Sequence, residues 1–101
     1  MIEAIFSSLE GSYTTGEFDE ETSFYFSIDD VKRTVVLTPD TCRVEDGKTI
    51  EDVDCVCKTD SDFFLQIWNE GYRPGMSDFM SGKIKSNDPL TLKDFLTAFG
   101  K

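Results

Sequence analysis

Residues 53–68 read Val-Asp-Cys-Val-Cys-Lys-Thr-Asp-Ser-Asp-Phe-Phe-Leu-Gln-Ile-Trp, and residues 78–85 read Asp-Phe-Met-Ser-Gly-Lys-Ile-Lys, with a Gly- and Pro-containing break between them. Val53, Cys55 and Cys57 alternate with Asp54, Val56 and Lys58, the period of a strand. Thr59-Asp60-Ser61-Asp62 has capping-box spacing, with Thr59 as N-cap and Asp62 at the third helical position. At roughly 100° per residue, Phe63, Phe64, Leu65, Ile67 and Trp68 spread over about 200° of the helix that follows. A helix with one core face needs closer to about 100°. This helix therefore meets apolar matter on two sides, the sheet on one and a neighbouring helix or a lipid on the other. Gly71 ends it, Pro74-Gly75 turns the chain, residues 77–81 form one helical turn carrying Phe79 and Met80, and residues 82–85 form a strand.

Working outward, Ile2, Ala4, Ile5, Phe6 and Leu9 give a short helical pattern that stops at Gly11. Residues 11–22 are rich in Gly, Thr and acids and read as a loop. In 23–28, Phe24, Phe26 and Ile28 share one face of a strand and Tyr25 takes the other. Asp29-Asp30 turns into a second strand over 31–37, where Val31, Val35 and Leu37 face one way and Lys32, Thr34 and Val36 the other. Arg33 breaks that alternation. Pro39-Asp40 and Asp46-Gly47-Lys48 bracket a short strand over 41–45. Beyond the breaker Asn87-Asp88-Pro89, Thr91-x-x-Asp94 reads as a second capping box. Leu92, Phe95, Leu96 and Phe99 then lie within about 100° of a short helix, which reads as a removable lid.

The ordered series strand, acid-capped aromatic helix, Pro-containing segment, aromatic turn and Gly-Lys-Ile-Lys strand resembles the sterol-carrier-protein-like (type-two sterol carrier) lipid-binding domains. The resemblance is carried by residues 52–86 and extends over 22–58. Family members usually have a longer amphipathic helix at the start, and the chain departs from them there. The resemblance implies an α+β fold, with a five-stranded, mainly antiparallel sheet and helices covering one face. It also implies a tunnel between sheet and helices for an acyl chain or sterol-like ligand, closed in part by the C-terminal helix.

A chain of 101 residues is the size of a single domain spanning 1–101. Its net charge is −10, with 15 acidic and 5 basic residues in 1–60 against 5 of each in 61–101. Phosphate binding needs a basic stripe, so nucleic acid is excluded as a partner, and an anionic membrane surface is disfavoured on the same ground. A basic protein partner for the acidic face stays open. No run approaches the roughly 18 apolar residues of a membrane span, so integral membrane association is not expected. Cys42, Cys55 and Cys57, with no secretory pattern before them, fit reduced thiols in a cytoplasm.

With no His in the chain, Ser-His-Asp and Cys-His nucleophile pairs and His-based metal sites are absent. The cysteine spacing matches no ordinary zinc site, and the paired carboxylates all have turn or cap roles. No catalytic residue, metal or cofactor is expected. What remains is apolar: Phe24, Phe26, Phe63, Phe64, Ile67, Trp68, Phe79, Met80, Leu92, Phe95 and Phe99 form the candidate ligand-binding set. The expected function is non-enzymatic binding or transfer of a fatty acyl, sterol-like or isoprenoid lipid. The alternative is an acidic protein-interaction module in which the same rings form a solid core.

Overall fold

The computed structural model describes residues 2–101. In chain order they form α1 (Ile2–Ser12), β1 (Thr22–Ile28), β2 (Val31–Leu37), β3 (Cys42–Asp46), β4 (Cys55–Thr59), α2 (Ser61–Glu70), α3 (Met76–Ser81), β5 (Ile84–Lys85) and α4 (Pro89–Ala98). The sheet begins at the two-residue turn Asp29-Asp30, which pairs Ile28 with Val31. Asp29 adopts φ 51°, a left-handed conformation that Asp tolerates better than most residues and that such hairpin turns require. The strand order is β3-β2-β1-β4-β5. β1 and β4 run parallel, and the other neighbours run antiparallel. The architecture is therefore α+β with a mainly antiparallel five-stranded sheet.

Phe24, Phe26 and Ile28 of β1 join Val35 and Leu37 of β2 and Cys55 and Cys57 of β4 in one buried apolar cluster. Phe6 of α1, Phe64 of α2 and Phe95 of α4 belong to the same cluster, so these three helices share this interior with the sheet. The opposite face is not left to solvent. Thr34 and Val36 are buried there, and the Thr34 hydroxyl donates to the Gly47 carbonyl at 2.7 Å and accepts from the Thr49 N–H at 3.1 Å. Arg33, which broke the alternation, ends at the sheet rim with its Nε 3.3 Å from Asp46.

Both sheet edges are managed. At β3 the Glu10 carboxylate of α1 accepts from the Val44 N–H at 3.3 Å. At the other edge β5 has only two residues, and the Asn87 side chain continues the ladder in its place. It accepts from the Val56 N–H at 2.7 Å and donates to the Asp54 carbonyl at 3.3 Å. The 82–85 strand is thus shorter than expected, because Gly82 takes φ 84° to cap α3.

Neither helix is capped by the Thr that the spacing suggested. Thr59 completes β4 instead, and its hydroxyl donates to the Lys83 carbonyl at 2.8 Å. Asp60 is the N-cap of α2 and accepts from the Phe63 N–H at 2.7 Å. Asp88 is the N-cap of α4, with Pro89 at the first helical position, and accepts from the Thr91 N–H and hydroxyl at 3.2 and 2.7 Å. Thr59 is β-branched and suits the end of a strand, while in both places a nearby carboxylate is the better cap.

Asp29 also serves α2. Its carboxylate accepts from the Ser61 N–H at 2.9 Å, and that hydrogen bond holds its pKa below the ordinary value. A carboxyl with a depressed folded-state pKa stabilises the fold at pH above its unfolded value of about 3.9, and the contribution is lost as pH falls through the folded value. An asparagine at this position would keep the left-handed backbone and an acceptor oxygen but not the charge. Asp29→Asn should therefore unfold at lower urea than wild type at pH 6, and the gap between the two midpoints should close as the pH is lowered below the carboxylate range.

Candidate functional site

The candidate residues divide into three places. Phe24 and Phe26 stand on β1, Phe64, Ile67 and Trp68 on α2, and Leu92, Phe95 and Phe99 on α4 and its C-cap; all are buried in one interior. Phe95 is at its centre. Its ring centroid lies 4.9 Å from both Phe24 and Phe26, 4.8 Å from Phe99 and 6.4 Å from Trp68. Phe64 stacks on Trp68 at 5.7 Å. These spacings are direct ring contacts. The expected open space between sheet and helices, beside Phe64, Trp68 and Phe95, is taken up by the protein's own side chains.

The helix expected to act as a lid is part of this core. Leu92, Phe95, Leu96 and Ala98 are all buried, and the Ala98 carbonyl accepts from the Thr14 N–H at 2.9 Å. Lys101, just beyond, places its Nζ 5.0 Å from the Trp68 ring centroid.

Phe63 sits on the other flank of α2. Its ring meets Tyr72 edge-on at 5.6 Å, in a groove of about 390 Å³ shared with Asp60, Asp62, Gln66 and Lys83. Phe63 nonetheless belongs to the same buried cluster as Phe64, Ile67 and Trp68, so the wide arc of α2 meets a single core rather than two separate apolar surfaces. Tyr72 is held by Asp78, which accepts its hydroxyl at 2.6 Å and the Gly75 N–H at 2.9 Å. Phe79 is half-buried against the core and lines an apolar groove of about 300 Å³ with Met76, Pro89, Leu90 and Lys93. Met80 is 81% exposed and stands outside the interior.

Sequence reasoning left out Phe6, Phe18 and Tyr13. Phe6 lies 5.4 Å from Phe26 and 5.9 Å from Phe64, Phe18 meets Phe24 edge-on at 5.8 Å, and Tyr13 lies 5.6 Å from Phe99. The spacing of Ile2, Phe6 and Leu9 along one face of α1 was the available signal for the first. Phe18 lies in an irregular loop, where no periodicity points inward.

No family model matches the sequence, and no curated protein matches it. Solved structures do match its fold. The sec-alkylsulfatase Pisa1 from Pseudomonas sp. aligns with a TM-score of 0.75 at 16% identity, over 98% of this chain. This chain spans only 16% of that enzyme's length. The UbiJ-SCP2 ubiquinone synthesis protein aligns with a TM-score of 0.66 at 11% identity, over 95% of this chain and 88% of that one. Sterol carrier protein 2 from Yarrowia lipolytica, in its apo form, gives 0.51 at 20% identity, over 82% and 71%. The chain has the sterol-carrier-protein fold.

In this sterol-carrier fold the thiols stay protonated near neutral pH. Burial, with Glu10 nearby, pushes the Cys42 thiol up to about 11, and burial pushes Cys55 up to about 11. Cys57 is driven up further by its deeper burial. A nucleophile or metal ligand needs the thiolate. We expect Cys57→Ala to cost about 1–3 kcal/mol in urea denaturation while leaving the fold intact. Zinc retained at one equivalent, together with unfolding by a chelator, would contradict this. For α4, Phe95→Ala should cost about 3–5 kcal/mol, a large share of the roughly 5–15 kcal/mol of a small domain. The amides of residues 95–99 should exchange hydrogen as slowly as those of β1, and fast exchange there would restore the lid.

Proposed function

We propose that residues 1–101 act as one sterol-carrier-like domain that binds an apolar ligand without covalent chemistry. The ligand class is a fatty acyl chain, a sterol-like molecule or an isoprenoid lipid. The observation that carries this reading is the apolar groove between α3 and α4. It is open to the surface, and its wall includes Phe79, which itself packs on the buried apolar cluster. Phe79 thus stands between this groove and the core. At about 300 Å³ the groove is at the lower end of the roughly 300–1,000 Å³ of ligand pockets. A long chain needs more space, which displacement of Phe79 from the cluster it packs on would provide. Transfer of apolar area at about 25 cal/mol per Å² supplies the affinity without directional bonds.

On this reading Phe79 meets the ligand first, and the buried set from Phe24 to Phe99 receives it. Met80 belongs to the rim. The protonated thiols support a role that is not enzymatic, and three free cysteines suit a reducing compartment such as the cytoplasm. Among the described residues no helix is long and apolar enough to cross a membrane.

One observation favours a second reading. The mutual contact of the rings is also what a solid core requires, and the acid-rich first 60 residues would then be the working surface for a basic protein. Trp68, the single Trp, separates the two. Its ring touches Phe64, Phe95 and Phe99, so any ligand that parts these rings must change its emission. Titration with palmitate below its micelle concentration should shift or quench Trp68 fluorescence to saturation. Native mass spectrometry of the purified protein should show an added mass that organic extraction removes. An unchanged spectrum together with an unchanged mass would leave the solid-core module.

A further inference from the structure

Around the α3–α4 groove the apolar surface continues into the open. Met76, Met80 and Leu90 are 75%, 81% and 73% exposed. Met76 and Met80 are four residues apart on α3 and share a face, while Met76 and Leu90 line the groove together. Single exposed apolar side chains need no explanation, but a cluster of them about an apolar groove marks a contact surface.

The charges around this cluster differ from those of the rest of the chain. Residues 71–101 hold 5 basic and 3 acidic side chains, against 5 basic and 17 acidic in 1–70. Two of the three acids are engaged internally. Asp78 is buried under Tyr72 and Gly75, and Asp88 caps α4. Asp94 remains exposed, one turn from Leu90. Against it stand Lys93 in the groove wall and Lys85, whose Cε lies 4.0 Å from the position a Cβ on Gly82 would take, at the end of α3. Lys83 faces the neighbouring groove, where Asp60 and Asp62 offset it.

We infer that this face docks on the surface of an anionic bilayer. Met76, Met80 and Leu90 enter the headgroup boundary, and Lys85 and Lys93 meet lipid phosphates. The net charge of −10, which disfavoured such a surface for the chain as a whole, does not act uniformly. α3 packs on β5 and α1 on β3, at opposite edges of the sheet. Four strand spacings separate those edges by roughly 19 Å, about twice the screening length of about 8 Å at physiological salt. Glu3, Glu10, Glu45 and Asp46, the acids of α1 and β3, are therefore screened from a membrane touching α3, whereas Asp60 and Asp62 lie nearer and are set against Lys83. A second copy fits this face less well, because a two-fold contact would bring Lys85 and Lys93 toward their own images. The use of such docking, to load and release an apolar ligand, rests on the proposed function; the docking itself does not.

Vesicle flotation with the full chain tests the inference. At physiological ionic strength the protein should float with phosphatidylcholine vesicles containing about one third phosphatidylglycerol, more weakly with pure phosphatidylcholine, and less as salt is raised further. The combined variant Met76→Ser, Met80→Ser and Leu90→Ser should lose flotation while melting as wild type does, since all three side chains are exposed. The pair Lys85→Gln and Lys93→Gln should reduce binding to the anionic vesicles by roughly ten-fold or more. Absence of flotation with anionic vesicles overturns the inference, as does a lysine pair variant that binds them as wild type does. So does a solution dimer that the triple serine variant dissociates, which assigns the face to a second copy. Monomeric palmitate titration of Trp68 involves no bilayer, so failure of docking and failure of ligand binding are told apart.

Discussion

The wedge of Phe95 between Phe24 and Phe26 is the contact on which the molecule depends. The ring lies 4.9 Å from each, so one side chain of the last helix closes over the central strand of the sheet. α4 spans only 10 residues, and a helix that short is marginal in isolation. It persists because Asp88 and Pro89 fix its start and Phe95 buries its face. Removing the ring would uncover β1 and also take a partner from Trp68 and from Phe99, which both touch it. The last segment of the chain thus completes a core begun by the first strand.

A second constraint follows from the parallel pairing of β1 and β4. Parallel neighbours need a crossover rather than a tight turn. Here the crossover runs through β2, β3 and the loop to residue 54, so the chain crosses the outer face on its way. That path explains why Thr34 and Val36 are buried on the side away from the helices. The return is locked where it rejoins β1. Asp54 accepts from the Ser23 N–H at 2.9 Å and hydroxyl at 3.2 Å, and the Asp54 N–H donates to the Ser23 hydroxyl at 3.0 Å.

Much of this was legible in the chain. Alternation placed Phe24, Phe26 and Ile28 on one face, whereas the 200° arc of α2, which read as two-sided, resolves into a single core that takes in Phe63, Phe64, Ile67 and Trp68. The contact of Tyr72 with Phe63 could not be read, because the position of Tyr72 is set by Asp78 six residues later, in a turn without periodicity. Thr59 and Thr91 were plausible caps by spacing, but each has an Asp within three residues whose carboxylate wins, and spacing alone cannot rank the two. The depth of Phe95 was missed for a related reason. A short helix behind a Pro looks detachable in sequence, whereas the ring contacts that retain it come from residues some 70 positions earlier.

These contacts also set the terms on which an interior site would work. Each aromatic pair contributes about 0.5–1.5 kcal/mol beyond its buried area, and Phe95 makes four such pairs. A ligand that lies among the rings must replace those contacts with its own. An alkyl or isoprenoid chain is suited to this exchange, since it offers continuous apolar surface and leaves no polar atom unpaired in the core. A polar ligand is less suited, because the phenylalanine rings present no hydrogen-bond partner and the Trp68 indole N–H is the one donor the ring set carries. The same reasoning favours displacement from the Phe79 side. That ring is half-buried and borders an existing groove, so moving it opens the interior without first breaking the wedge at β1. On the proposed reading, then, the aromatic interior works as a packed substitute for the ligand, holding the sheet and helices together until a chain of similar apolar character takes the place of some of its contacts.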